Sequence, residues 1–488
     1  MCIFAHYYME SLKEKTAKGL FWGGLSNGAQ QLLNLVFGIF LARLLTTADY
    51  GMVGMLTIFS LIASSLQEGG FISALNRKKE ASHKDFNAVF WTSSLFSFSI
   101  YLLLFFCAPL IARFYDEPRL VSLARYIFLG FFITSLGIAP RAVLFRNIQV
   151  RQQSIVAFVS LLLSGFVGIT MAAYGFAYWG IATQTLVYGS LFTGMTFYYA
   201  QWHPTLPINF SPIREMFGFS SKLIVTNIVI IVNTNIFSVI LGRMYTPSIV
   251  GSYTQANKWN YMGWSLISNM LNGIAQPVFA KTNEDRERQK KIFRKLLRFT
   301  ACISFPAMLG LALVAREFIV ILLGEKWLDS AVILQWLCVM GAFYPISYLF
   351  SHLMIGRGHS STYMWCNIAL CVVQLTMVLL TAPYGMERMI QVYVAITVGW
   401  LLVWHYFVHQ EIGLQLLELF KDILPYLVIS VTLMIIAYWL TQGIGNLYLC
   451  FATKVLFVSA TYCLTLWLTG STIFKEALIF LTKHQILA

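Results

Sequence analysis

ARLLTTADYG spans residues 42–51, and GRMYTPSIVG spans residues 242–251. Arg43 and Arg243, Thr46 and Thr246, and Gly51 and Gly251 are identical at an offset of 200 residues. Ala42/Gly242, Leu44/Met244 and Ala48/Ser248 are conservative pairs. Each stretch closes one long apolar segment and opens another. This context predicts two copies of one membrane module, an arrangement common in transporters.

Outside these stretches the chain is built for a bilayer. It is 58% hydrophobic and 11% charged, with a mean hydropathy of +0.70 over 488 residues. Soluble domains carry about 25% charged residues, so no large soluble domain fits here. Backbone groups in lipid must be satisfied internally, which leaves helices or a closed barrel. The apolar segments lack polar/apolar alternation, and that selects helices.

Fourteen spans are expected. The first six cover about 19–42, 52–75, 87–112, 120–140, 153–174 and 177–200. The next six cover about 218–242, 249–278, 299–323, 330–355, 361–382 and 389–410. The last two cover about 423–441 and 447–469. If the N-terminus is cytoplasmic, 24 of the 34 Lys and Arg residues fall on the inner side. The positive-inside rule therefore places both termini in the cytoplasm. Six spans separate the two copies, so the repeat is parallel, about an axis along the membrane normal. Two weaker echoes agree: Phe114–Leu120 with Leu323–Leu328, and Arg146 with Arg357. The expected domains are an N-terminal lobe over 1–200, a C-terminal lobe over 201–412, and two further helices with a cytoplasmic tail over 413–488.

The first span is too long for a cleaved signal and lacks a small-residue cleavage site. It is expected to remain as an uncleaved helix. Met9 opens an ordinary N-terminus, so residues 1–8 are read as an extension from a mis-assigned start. The eight cysteines lie mostly within apolar segments without a C-x-x-C motif, as apolar filler does. The net charge of +14 follows membrane topology, and no nucleic-acid motif accompanies it. Residues 281–299 (KTNEDRERQKKIFRKLLRF) read as a basic, partly amphipathic cytoplasmic linker lying on anionic lipid.

No Walker A, G-x-S-x-G or H-E-x-x-H motif occurs, which argues against an enzyme and against ATP-driven transport by this chain alone. No cofactor is expected. His405 and His409 share a helical face near Glu411, but at a span's end this is an ordinary interfacial pattern and no metal site is assigned. Glu68 lies inside an apolar run. A carboxylate there needs a wet cavity or a cation, so it is a candidate coupling-ion site, with a structural salt bridge as the alternative. Arg43, Arg243, Arg141, Lys222 and Lys258 are candidate substrate-binding cations for an anionic group such as a diphosphate. Snorkelling to headgroups is the competing reading. Asn27, Gln30, Gln31 and Asn34 in the first span, with Asn227, Asn233 and Asn235 in the seventh, suit sugar hydroxyls or helix packing.

Several motifs recur in an order that resembles one family. They are Lys18-Gly-Leu-Phe-Trp, Leu41-Ala-Arg-Leu-Leu with Asp49-Tyr-Gly, Glu68-Gly-Gly-Phe-Ile-Ser-Ala-Leu and Phe86-Asn-Ala-Val-Phe-Trp. Ala108–Pro118, Tyr174–Gly180, Gly251–Ala256, Gln276–Ala280 and Leu323–Trp327 continue the series. Together they resemble the lipopolysaccharide and exopolysaccharide exporters of the multidrug/oligosaccharidyl-lipid/polysaccharide (MOP) superfamily over roughly 10–420. Asn76-Arg-Lys-Lys departs from the pattern, where Gln often precedes the basic residues. The resemblance implies an all-α integral membrane protein of about fourteen helices. Two six-helix lobes would surround a central cavity, with two helices added. It implies a flippase for polyprenyl-diphosphate-linked oligosaccharide, in the bacterial cytoplasmic membrane, working by alternating access. Membrane lipids and other polysaccharide-assembly proteins are further candidate partners. A multidrug or small-cation antiporter, and a membrane glycosyltransferase or polymerase, are the competing functions.

Overall fold

The computed structural model describes residues 22, 26–68, 75, 81–206, 211–272, 275–471 and 474, with side chains of 68, 211–226 and 272 excluded. Among the described residues the regular structure is helical throughout. The chain divides into two compact units, Met1–Gly251 and Ser252–Ala488.

The first unit holds α1 (26–44), α2 (Thr47–Glu68), α3 (His83–Tyr115), α4 (Leu120–Ser135), α5 (Ile138–Arg146), α6 (Val150–Ala173), α7 (Tyr178–Ala200) and α8 (Ser211–Met244). Helix α9 (Pro247–Asn272) starts in it. The second unit continues with α10 (Ala275–Lys281), α11 (Arg286–Leu313), α12 (Ala315–Leu323) and α13 (Leu328–Gly356). It ends with α14 (Ser360–Thr381), α15 (Met386–Ile412), α16 (Leu416–Thr441) and α17 (Leu447–Leu468).

Eleven helical segments among the described residues are long and apolar enough to cross a membrane. Of the fourteen expected spans, those falling on α1, α7 and α9 are outside that set; in α1 the described part carries Asn27, Gln30, Gln31 and Asn34. Helix α9 carries Gln255, Asn257, Lys258, Asn260 and Asn269, which lower its hydropathy. Helix α7 is diluted by Gly, Thr and Tyr.

Helix ends follow local chemistry. Ser82 and Asp85 form a capping box at α3: the Ser82 N–H and hydroxyl both donate to the Asp85 carboxylate, at 2.8 and 2.9 Å. Asp116, in the left-handed conformation, closes that helix. Asp285 accepts from the Arg288 N–H at 2.9 Å and starts α11. Asn446 does the same for α17. Each such cap contributes about 1 kcal/mol. Pro247 opens α9, where its missing N–H costs no helical bond.

In the first unit α3 packs on α4, α6 on α7, α4 on α7, and α2 on α8. One apolar cluster gathers Phe86, Phe90, Ile138, Ala142 and Trp202; another joins Leu41 and Leu45 to Ala172. In the second unit α11 packs against both α13 and α16, α13 and α14 against α15, and α16 against α17. Met434, Ala437 and Val458 bring α16 and α17 together over Leu309 and Leu313.

The basic stretch 281–299 differs from a free linker. Most of it is the first four turns of α11, and its Lys290, Arg294 and Arg298 pair with acids. Arg294 donates to Asp422 at 2.6 Å and to Glu418 at 3.0 Å; Lys290 meets Glu418 at 2.8 Å, and Arg298 lies 3.5 Å from Asp422. These acids sit on the first two turns of α16, so the basic run ties two helices as well as facing water.

Candidate functional site

The duplicated motif builds the central feature of the first unit. Thr46 and Asp49 cap α2: the Thr46 N–H and hydroxyl donate to Asp49 Oδ2 at 2.9 and 2.6 Å. The Tyr178 N–H donates to Asp49 Oδ1 at 3.2 Å, so the same carboxylate also holds the start of α7. Asp49 is therefore a structural cap with both oxygens engaged. In the second copy Ile249 stands at the corresponding position, and α9 starts from Thr246 without that carboxylate.

The two copies meet. The Thr47 and Ser248 hydroxyls are 2.6 Å apart. The backbone of Gly51 lies against the Pro247 carbonyl, and that of Gly251 against the Thr47 carbonyl. A Cβ at either glycine would enter the opposing carbonyl group. The contact is reciprocal: position 51 meets 247, and position 251 meets 47. That is the pattern of a two-fold axis relating the copies. Only glycine permits this approach, which explains why Gly51 and Gly251 are the identities that end the motif.

Arg43 and Arg243 end α1 and α8, one turn before the interlock, and both are exposed. The seam thus brings together the segments that carry the two arginines. The other candidates lie elsewhere. Arg141 is exposed on the first turn of α5, its guanidinium 5.8 Å from the Phe192 ring centre. Lys258 is half-buried on α9, about 16 Å along the helix from Pro247. Lys222 lies on α8, and Glu68 ends α2; both side chains lie outside the described residues. So do residues 1–8, Lys18–Phe21 and Asn76–Lys79.

Asn27, Gln31, Asn34 and Asn227 are exposed, Gln30 and Asn235 are half-buried, and Asn233 is buried. Glu411 pairs with Arg357 and His359, and His409 Nδ1 sits 2.8 Å from the Leu414 carbonyl oxygen. These contacts give the His405–His409–Glu411 pattern a packing role. In the loop after α3, the Glu117 carboxyl is held below the usual carboxylate range, chiefly by its hydrogen bond from Arg119. A cavity of about 260 Å³ lies between Trp22, Ser26 and Ala29 of the first span and Ser154 and Phe158 of α6.

One buried ion pair was not read from the sequence. Lys454 Nζ on α17 donates to Glu317 Oε1 on α12 at 2.7 Å, and both side chains are almost fully buried. Cys450 Sγ approaches the same oxygen at 3.6 Å. A lone lysine inside the apolar run Leu447–Leu468 was the available signal, because such a charge needs a counter-ion.

The long apolar helices define a multi-pass membrane protein. The chain belongs to the polysaccharide biosynthesis protein family, whose model matches residues 40–332. It is 25% identical over 353 residues, 71% of each chain, to the lipopolysaccharide biosynthesis protein WzxC of Escherichia coli K12. It is 23% identical to the teichuronic acid biosynthesis protein TuaB of Bacillus subtilis 168, covering 88% of this chain and 90% of that one. Its fold is similar to that of the lipid II flippase MurJ in an inward closed conformation. The TM-score is 0.76 at 15% identity, over 94% of this chain and 99% of that one. The resemblance to polysaccharide exporters of the MOP superfamily is thereby borne out.

Proposed function

We propose that the chain flips polyprenyl-diphosphate-linked oligosaccharide from the inner to the outer leaflet of the bacterial cytoplasmic membrane. It does so by alternating access and without catalysis, for surface polysaccharide assembly. The observation that carries this reading is the reciprocal seam of Thr47–Gly51 and Pro247–Gly251. It is a backbone contact held by glycine shape and a hydroxyl pair. A contact of that kind parts without leaving buried charge behind. Membership of the polysaccharide biosynthesis family, and the naming of MurJ as a lipid II flippase, support the substrate class.

In this reading fourteen spans cross the membrane, both termini are cytoplasmic, and the seam lies at the outer face. The lobes run over 1–200 and 201–412, with 413–488 as added helices. Arg43 and Arg243 attract the diphosphate as the seam opens, and Arg141, Lys222 and Lys258 extend the cationic path. Glu68 is the candidate coupling-ion site. Deleting the gene is expected to abolish surface glycan and to accumulate polyprenyl-linked precursor on the cytoplasmic side. Normal surface glycan in a strain without a second exporter overturns the proposal. Arg43→Gln with Arg243→Gln is expected to lower glycan export about tenfold or more, while either single variant costs less. Export at the wild-type rate in the double variant removes both arginines from the path.

A further inference from the structure

We infer that a strip of aromatic rings on α9 and α13 of the second unit is the surface on which the sugar rings of the transported glycan stack. This rests on the flippase reading above and names the part of the chain that would recognise carbohydrate.

The strip is contiguous. Tyr261 and Trp264, one turn apart on α9, have ring centres 5.0 Å apart. Trp264 lies parallel to Tyr344 of α13, at 4.7 Å and 16°, and 5.7 Å from Tyr348. Tyr348 is followed by His352 at 6.1 Å. Tyr344, Tyr348 and His352 recur every fourth residue, so the strip follows one face of α13 for about 12 Å.

The strip is not closed into the packing of its unit. Tyr261 is 56% exposed, and the other four rings are half-buried. The hydroxyls of Tyr261, Tyr344 and Tyr348 make no hydrogen bond among the described residues.

The same uncovered side of α9 carries Thr254, Asn257, Lys258 and Ser265, all half-buried. Polar residues at membrane depth face a wet cavity or a protein partner rather than lipid. A surface that joins aromatic faces, free phenol hydroxyls and a cation one turn away suits a pyranose. Its C–H face packs on a ring while its hydroxyls find donors at the edge. An isoprenoid chain would use the rings but waste the polar groups.

The fold does not require these rings. The first copy has Leu61 and Ser64 where the second has Tyr261 and Trp264, at the offset of 200 residues. With Arg146 aligned to Arg357, Ile133, Gly137 and Arg141 stand where Tyr344, Tyr348 and His352 stand. The aromatic character belongs to one copy only, as expected of a ligand surface and not of a scaffold element.

The test uses the full chain in nanodiscs and two probes: undecaprenyl diphosphate, and undecaprenyl diphosphate bearing the host strain's repeat-unit oligosaccharide. Trp264→Ala and Tyr348→Ala are each expected to weaken binding of the glycan-bearing lipid about tenfold and to leave the bare carrier unchanged. Trp264→Phe, which keeps a ring, is expected to stay within about threefold of wild type, and it serves if Trp264→Ala does not fold. Equal losses for both lipids, or no loss for either, overturn the assignment. A wild-type chain that binds neither lipid overturns the flippase reading itself, and the strip's role with it.

Discussion

With Thr47 and Ser248 both replaced by cysteine, oxidation stops glycan export and a reductant restores it. The two hydroxyl oxygens stand 2.6 Å apart. The two side chains are therefore in contact, and a disulfide between them needs about 2.05 Å between sulfurs and about 3.5–4.5 Å between β-carbons. The backbones are already in contact through Gly51 and Gly251, so the bond is expected to form with little movement of either helix. Alternating access requires one side of the path to open while the other closes. A covalent bond across the seam removes the state in which the seam is open. Surface glycan should fall to the level of a deletion strain, with each single-cysteine variant near wild type. Export that continues at the wild-type rate through a cross-linked seam means that the seam never parts. Gly51→Val reaches the same seam from the opposite direction. Its side chain enters the Pro247 carbonyl, so the closed seam is lost even though the helix is not.

The second large effect lies at the buried pair of Glu317 and Lys454. Their 2.7 Å contact joins α17 to α12, and both groups are shielded from water. Lys454→Met leaves the Glu317 carboxylate buried without its cation, at a cost of about 3–5 kcal/mol. For a unit of this size that corresponds to a fall of about 10 °C in the Tm of purified protein in detergent. Adding Glu317→Leu to Lys454→Met removes the stranded charge and should recover most of the loss, because a well-packed apolar pair of similar volume is often equal to a buried ion pair. Equal Tm values for the single and double variants would show that the two groups are not energetically coupled.

Most of the fold was legible because hydropathy acts locally. The long apolar runs of α3, α13 and α16 announce themselves within one window of sequence. Helix α9 was legible for another reason. Its polar residues weaken the hydropathy signal, and its place in the repeat identified it. The motif identities at Thr46, Gly51, Thr246 and Gly251 signalled duplication. They did not signal contact, because nothing local tells Gly51 that the Pro247 carbonyl is its neighbour. The link that Asp49 makes from α2 to the start of α7 depends on a partner at Tyr178, far along the chain. The Glu317–Lys454 pair is split by 137 residues, and the aromatic strip needs α9 and α13 side by side. The basic run of α11 was read as lipid-facing because its partners, Glu418 and Asp422, lie more than 120 residues away. Local chemistry located the elements and the charged residues; their pairing is a property of packing.

This chain is expected to move a glycan-bearing lipid across a bilayer by itself. The most direct measurement is a leaflet-accessibility assay. The purified chain is reconstituted into liposomes holding fluorescent undecaprenyl-diphosphate-linked oligosaccharide, and a membrane-impermeant quencher is added. The protected half of the fluorescence is expected to be lost in liposomes with the chain, and to be retained in liposomes with the oxidised Thr47→Cys, Ser248→Cys variant. Protection equal to that of protein-free liposomes, with the wild-type chain present under every ion gradient imposed, would contradict it.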